Sequence, residues 1–376
     1  MKEAASNGNS QPTIAVDLDG TLISGDMALM SSLEFVRRHP GNLLRLVGWA
    51  ISGGRLKLKQ QVAQRVALDG GQLIWRQDVL TFLRKCKQDG RQLVLATAAM
   101  RPHAEAVFAE LGLFSDLLCS SEQVNLHSGR KADALDEKYG PGNWEYVGDS
   151  PHQDPPVFAR AHRSHLVRPQ GAMRDSARQI GEVFGEFEPR NLRNSLGLMQ
   201  PAAWLGKALL GFVIPLAFLS AYWPDFNAAA GLAPLLQALL ACCLAASVAD
   251  VAGALFRLAP GNRAHTNPEQ IAAILDITAS RCLRIGAALL AGCAVLASTL
   301  PASAAILIAC HASLAIIESI WLTNATAARV VAKGLLHTLV LATALAAVGF
   351  ESFPYLSAAA APALLLFEIL QVRSQK

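Results

Sequence analysis

None of the seven cysteines in this 376-residue sequence forms a Cys-x-x-Cys pair or falls at a metal-ligand spacing. That leaves no cysteine-built metal or redox site to read from the sequence. Cys242 and Cys243 lie inside an apolar run, where cysteine behaves as a small hydrophobe, and the set suits a reducing compartment. The net charge is only +4 and the basic residues are dispersed, so a nucleic-acid partner is not expected. The polar start, MKEAASNGNSQPT, has no apolar stretch of the kind a signal peptide needs, and the first half is expected to stay in the cytoplasm. Charge itself is scarce in the second half. Residues 200–376 hold 9 of the 33 Lys/Arg and 7 of the 29 Asp/Glu. A soluble-type half therefore precedes an apolar one.

In the first half, TIAVDLDGTL reads as a short buried strand entering a glycine turn. Residues 26–90 carry helix-period apolar spacing in DMALMSSLEFVRR, NLLRLVGWAIS and LKLKQQVAQRVAL. RQLVLATAA reads as a second strand, followed by the helix RPHAEAVFAELGLF. DLLCSS and WEYVGDS read as further strands, with the helix KADALDEKYG between them. Strands alternating with helices predict a parallel sheet with crossovers. The segmentation is a polar tail over 1–12, an α/β domain over 13–185, a linker or interfacial segment over 186–203 and a membrane domain over 204–376.

From Trp204 onward about six apolar segments reach membrane length, at 204–223, 231–256, 284–300, 302–322, 331–350 and 354–371. With the first half in the cytoplasm, the inner loops contain Arg190, Arg193, Arg257, Arg263, Arg281, Arg284, Arg329, Lys333, Arg373 and Lys376. The outer loops, near WPDFN, STLPAS and FESFP, contain no Lys or Arg. That distribution predicts a multi-pass protein of the inner membrane with both termini in the cytoplasm.

The chemistry is concentrated in VDLDGTL, residues 16–22. A strand ending in Asp17-x-Asp19-Gly20-Thr21 places two carboxylates at the carboxyl end of an α/β sheet, where ligands bind. Asp17 can attack phosphorus and Asp19 can move the proton of the leaving oxygen. Gly20 permits the tight turn, and Thr21 can fix the loop by hydrogen bonds. Thr97, after an apolar strand, offers a hydroxyl and neighbouring amides such as that of Ala98 to phosphate oxygens. Lys131 opens a helix and supplies positive charge. Asp149 ends another apolar strand and can complete a Mg²⁺ site with Asp17. Asp154 can orient Lys131 or meet the metal's water shell. Oxygen ligands and a dianionic substrate suit Mg²⁺.

These motifs, in this order, resemble the haloacid dehalogenase-like phosphohydrolases over roughly residues 13–185. The resemblance implies a Rossmann-like α/β domain with a helical cap, here about 26–90. It also implies nucleophile Asp17 and acid/base Asp19. Phosphate is then bound by Thr97, Ala98 and Lys131, and Mg²⁺ is held by Asp17, the carbonyl of Asp19 and Asp149. Retention of Asp19 points to a phosphatase and not to the P-type ATPases of that superfamily. Lys57, Lys59 and Arg65 of the cap read first as a solvated helix face, with a second phosphate or the membrane surface as alternatives.

The apolar half resembles a UbiA-type prenyltransferase domain in QPAAWLGKALLGFVIPL and in ADVAGALFRLAPGNRAHTNP. That family carries NDxxDxxxD at the second stretch, to hold Mg²⁺ on a prenyl diphosphate. Here the four positions are Ala249, Asp250, Gly253 and Arg257, and the later loop TNATAARVVAKG has no carboxylate. The resemblance implies a polyprenyl pocket without its transferase chemistry. Asp250, Arg257, Arg263 and His265 are candidates for meeting a lipid phosphate, although positive loop residues also satisfy topology alone. The resulting expectation is a membrane-anchored Mg²⁺-dependent phosphatase for a phosphomonoester on a polyprenyl-phosphate-linked sugar, such as a phosphoribosyl lipid. The alternatives are a bifunctional phosphatase–prenyltransferase and a membrane scaffold presenting a phosphatase to a separate transferase.

Overall fold

A computed structural model describes residues 11–68, 73–150, 152, 154–168, 171–187, 212–223, 226–259, 279–322 and 325–350, together with 354, 357, 360–366 and 369. The polar tail through residue 10 and the 188–203 part of the expected linker lie outside the described residues. The chain forms two compact units, parted near residue 191.

In the first unit, six strands form one parallel sheet in the order β3-β2-β1-β4-β5-β6. They are β1 (Thr13–Val16), β2 (Leu93–Met100), β3 (Asp116–Ser120), β4 (Trp144–Gly148), β5 (Ser164–Val167) and β6 (Val183–Phe187). Every residue of β1 and of β4 is buried, as expected of parallel strands covered on both faces. Helices α1 (Met27–Arg38) and α2 (Asn42–Ala63) rise between β1 and the crossover helix α3 (Gln77–Gln88). The sheet is completed by α4 (Arg101–Leu111), α5 (Gly129–Tyr139), α6 (Pro155–Arg160) and α7 (Gly171–Ile180).

Local chemistry sets the cap. The Asp26 carboxylate caps α1 by accepting the Leu29 amide at 2.8 Å. Glu34 then gathers Arg37 and Arg38 at 2.8 and 3.2 Å in the last turns. The apolar stretches expected as two helices are the halves of α2, joined at Gly54 with φ 64° and ψ −162°. A Cβ there would be strained, so glycine permits the break. Helix α3 buries Val79, Leu80, Leu83 and Cys86 and packs on the sheet, so the last helix of the stretch expected as cap is a crossover.

The second unit contains, among the described residues, α8 (Ile214–Tyr222), α9 (Ala228–Phe256), α10 (Ala279–Ser298), α11 (Ala302–Trp321) and α12 (Thr326–Ala347). Asn227 caps α9 by accepting the amides of Ala229 and Ala230 at 3.0 and 3.2 Å. Helix α9 packs against α10, α11 and α12 through small residues. Ala241, Cys242 and Ala245 meet Cys293, Ile308 and Val340 in one cluster, which lets the backbones approach closely. Among the described residues three helical stretches are long and apolar enough to cross a membrane, Ala229–Phe256, Ala302–Trp321 and Thr326–Ala347. Cys282–Ser298 is a shorter apolar helix. The expected first and last spans are described only in part. Helix α12 begins before the apolar run because Arg329 and Lys333 occupy its opening turns, where long basic chains can reach past an apolar surface to water.

Candidate active site

The strand order reverses between β1 and β4, the crevice where open α/β sheets bind ligands. Three expected groups emerge there. Asp17 follows β1, and its amide still pairs with the Val147 carbonyl at 3.0 Å. Asp149 follows the neighbouring β4. Thr97 lies where pairing of β2 with β3 shifts register between Ala96 and Met100, and its buried hydroxyl oxygen accepts the Ala99 amide at 3.0 Å. Ala98 sits in the same irregular stretch, its carbonyl accepting from Ser120 at 3.0 Å.

Lys131, in the first turn of α5, is 1% exposed. Its Nζ lies 3.2 Å from Asp17 Oδ1 and 2.8 Å from Asp154 Oδ2, and it donates to Tyr146 Oη at 3.0 Å. Asp154 also accepts the Ser128 amide at 2.8 Å and the Tyr146 hydroxyl at 3.3 Å. Ser128 itself takes φ 54°, a conformation uncommon for any residue but glycine. Burial alone would depress the Lys131 ammonium, but Asp17 and Asp154 hold it above its ordinary value. Burial alone would raise Asp154, and Lys131 instead pulls it down. Asp17 is pushed up by burial against the opposing pull of Lys131. The cluster thus keeps one buried cation aimed at the Asp17 carboxylate.

Asp19 turns the other way. Its Oδ1 accepts the amide of Met27, the first residue of α1, at 2.8 Å. Burial pushes this carboxyl well above its usual range. The charges of Asp26 and Asp17 add to that, while the Met27 amide and Lys59 oppose it. A carboxyl raised in this way is suited to giving up a proton to a leaving oxygen. Lys59, read from sequence first as part of a solvated face, is instead 7% exposed and reaches the Ala98 carbonyl at 3.3 Å. With Met27, Ala28, Ala99, Met100 and His103 it lines a small cavity beside Asp19. Lys57 bonds Ser52 and Arg65 stacks over Trp49, so only one of the three basic residues turns inward.

The donor set fits a hard divalent cation. Gly20 has φ 74°, and a Cβ built there would lie 2.1 Å from Asp149 Oδ2. The Asp149 carboxylate therefore rests against the backbone that follows Asp19, and only glycine leaves it room. Among the described residues no three Asp, Glu, His or Cys side chains cluster as metal ligands. Two carboxylates and the Asp19 main-chain carbonyl meet the lesser demand of a cation that keeps several waters.

Thr21 departs from expectation. It is fully buried and its hydroxyl has no hydrogen-bond partner among the described residues. The loop is held instead by the Leu18 carbonyl, which accepts from the amides of Thr21, Leu22 and Ile23 at 3.0–3.2 Å, and by the Gly20 amide on Gly25 at 2.9 Å. Tyr146, whose hydroxyl joins Lys131 to Asp154, was not singled out. Its signal was hidden, because an aromatic in a buried strand reads as core. In the second unit, Asp250 and Arg257 interact electrostatically at the end of α9. Arg263 and His265 lie outside the described residues.

Residues 14–157 match the family described as haloacid dehalogenase-like hydrolase. Over 216 residues, 56% of this chain, the sequence is 30% identical to the uncharacterized protein y4nM of Sinorhizobium fredii, of which the match covers 40%. The chain thus spans less than half of that relative's length. Among solved structures, a protein of unknown function from Bordetella pertussis Tohama I is 15% identical at a TM-score of 0.38, covering 47% of this chain and 99% of that one. A substrate-bound phosphoserine phosphatase is 13% identical at a TM-score of 0.34, covering 50% and 98%. Family match, parallel sheet and motif order together make residues 14–157 a haloacid dehalogenase-like hydrolase domain.

Proposed function

We propose that this chain is a membrane-anchored phosphatase that hydrolyses a phosphomonoester with Mg²⁺. The observation that carries the reading is the pair Asp17 and Asp19 after the central strand, with Lys131 Nζ 3.2 Å from Asp17 Oδ1. Asp17 attacks phosphorus, forming an aspartyl phosphate as the bond to the leaving oxygen breaks. Asp19 gives its proton to that oxygen. Asp19 then takes a proton from water, which attacks phosphorus, releases inorganic phosphate and regenerates the Asp17 carboxylate. Thr97, Ala98 and Lys131 would hold the phosphoryl oxygens. Mg²⁺, held by Asp17, the Asp19 carbonyl and Asp149, would offset negative charge on that group.

The substrate class we infer is a phosphate on a polyprenyl-phosphate-linked sugar, with the first unit on the cytoplasmic side. Three helices of membrane-crossing length and loops that keep Lys and Arg on one side support that placement. The second unit, on its resemblance to UbiA-type domains, would hold the lipid without transforming it. A Cβ on Gly253, the position where that family carries a second Asp, would already lie 3.0 Å from Ser319 Cβ. A larger side chain at Gly253 would need α9 or α11 to give by a few tenths of an ångström, and the loss of all but Asp250 from the Asp-rich positions disfavours a bifunctional enzyme.

Release of phosphate from p-nitrophenyl phosphate by the purified full chain tests the catalytic assignment. Activity should require Mg²⁺ and disappear in Asp17→Asn. Undiminished activity in that variant would overturn it. A phosphorylated polyprenyl-linked sugar should then be turned over with a higher kcat/KM than its water-soluble counterpart.

A further inference from the structure

The first half of α2, residues 42–53, turns apolar side chains into solvent. Leu43, Leu44, Val47 and Ile51 are 54%, 77%, 48% and 82% exposed. At 100° per residue they fall within one face of the helix. Its inner side is satisfied separately, since Trp49 stacks on Phe35 at 5.4 Å and the Asn42 amide bonds the Phe35 carbonyl. The outer face of a cap helix in water ordinarily carries charge. Here the only charged residues from 42 to 60 are Arg45, Arg55, Lys57 and Lys59, all positive. Arg45 is exposed outside that arc, about 100° past Leu44, and Arg55, just beyond the Gly54 break, is exposed with its guanidinium 3.7 Å from the Asp26 carboxylate.

We propose that this half of α2 seats in the headgroup region of an anionic lipid bilayer, with Leu44 and Ile51 as its deepest residues. An exposed apolar stripe with arginine on the other side of the helix is the composition of a helix that lies in the interface plane. Arg45 would reach toward lipid phosphates, and Arg55 would meet one by exchanging its contact with Asp26. A second copy is disfavoured, because a two-fold contact would bring the same basic helix, with Arg45 unpaired by any acidic residue of α2, against itself. The proposal rests on the membrane reading of the apolar helices, which bring the chain to a bilayer. The break at Gly54 separates this stripe from the half of α2 that carries Lys59 to the site.

The test uses the full chain reconstituted into phosphatidylglycerol–phosphatidylcholine vesicles. An environment-sensitive fluorescent amino acid replaces Leu44, or the exposed Glu110 of α4 as control. Lipids bearing a headgroup-proximal spin label should quench position 44 strongly and position 110 little. Quenching at 44 should weaken in phosphatidylcholine alone and fall to the level of the control when Ile51→Asp is added. An unquenched position 44 on chains that float with the vesicles would overturn the seating while leaving the membrane anchor standing. Chains that do not float would overturn both. A blue shift at 44 without lipid quenching would place protein over the stripe. A signal that rises with protein-to-lipid ratio would place a second copy there, and either result overturns the proposal.

Discussion

Lys131 Nζ stands between two carboxylates, 3.2 Å from Asp17 and 2.8 Å from Asp154. The shorter contact belongs to Asp154, to which the proposed mechanism gives no chemical step. Asp154 is thus a positioning residue for the cation, and removing its charge differs from removing the cation. Asp154→Asn leaves Lys131 buried with one carboxylate and should cost about 3 kcal/mol of stability, the scale for breaking a buried ion pair. Lys131→Met should lower kcat by roughly 10²–10³, the scale for losing one preorganised charge-stabilising donor. Urea unfolding and steady-state kinetics on both variants check the division. Equal losses in both measurements would remove the distinction.

Gly20 predicts a defect in metal binding. In Gly20→Ala the added methyl would lie 2.1 Å from Asp149 Oδ2, and φ of 74° strains any side chain. The carboxylate must move, so the Mg²⁺ concentration needed for half-maximal activity should rise roughly 10–100-fold, the scale of a disturbed ligand environment. Backbone strain adds about 1 kcal/mol or more to the stability loss. Titrating activity with Mg²⁺ distinguishes the two effects, because a purely structural defect would lower kcat without moving that midpoint.

Lys59 carries a prediction about substrate. Its buried ammonium touches the Ala98 carbonyl and opposes the rise of the Asp19 carboxyl. Lys59→Met should raise KM for an anionic phosphoester about tenfold, one lost charged contact being worth roughly 1.4 kcal/mol. A change in kcat alone, with KM intact, would confine Lys59 to supporting Asp19.

What the sequence disclosed and what it hid follow one physical division. β1 is an apolar run followed directly by Asp17, and β2 an apolar run broken only by Thr97, so the strands and both residues are legible in the sequence. β5, SHLV, and β6, VFGEF, contain polar residues or glycine within four or five positions, too short and mixed for a period to show. Ser164 and His165 are nonetheless buried; Glu145 on β4 meets the His165 ring at 3.1 Å, while the Ser164 hydroxyl has no hydrogen-bond partner among the described residues. Lys57 and Lys59 look alike in sequence, and only the course of α2 after Gly54 separates the half-buried Lys57 from the buried Lys59. The Thr21 hydroxyl shows the same limit in reverse. Its motif position suggested a hydrogen bond that the backbone amides around Leu18 make instead.

Away from the site, Glu145 on β4 joins Arg91 and His165. Its carboxylate accepts from Arg91 at 3.1 Å and lies 3.1 Å from His165 Nε2. Burial alone would raise this carboxyl, but the bonds from His165 and Arg91 pull it from 4.5 down to about 2. A folded value below the unfolded one contributes stability that is complete above pH 4.5 and lost as pH falls toward about 2. At 1.36 kcal/mol per pH unit the contribution is about 3 kcal/mol. In Glu145→Gln the unfolding free energy at neutral pH should fall by about that amount. The gap between variant and parent should close steadily below pH 4.5. Urea midpoints measured across that range decide the matter, since curves that stay parallel down to pH 2 would mean that the Glu145 charge does not hold these strands together.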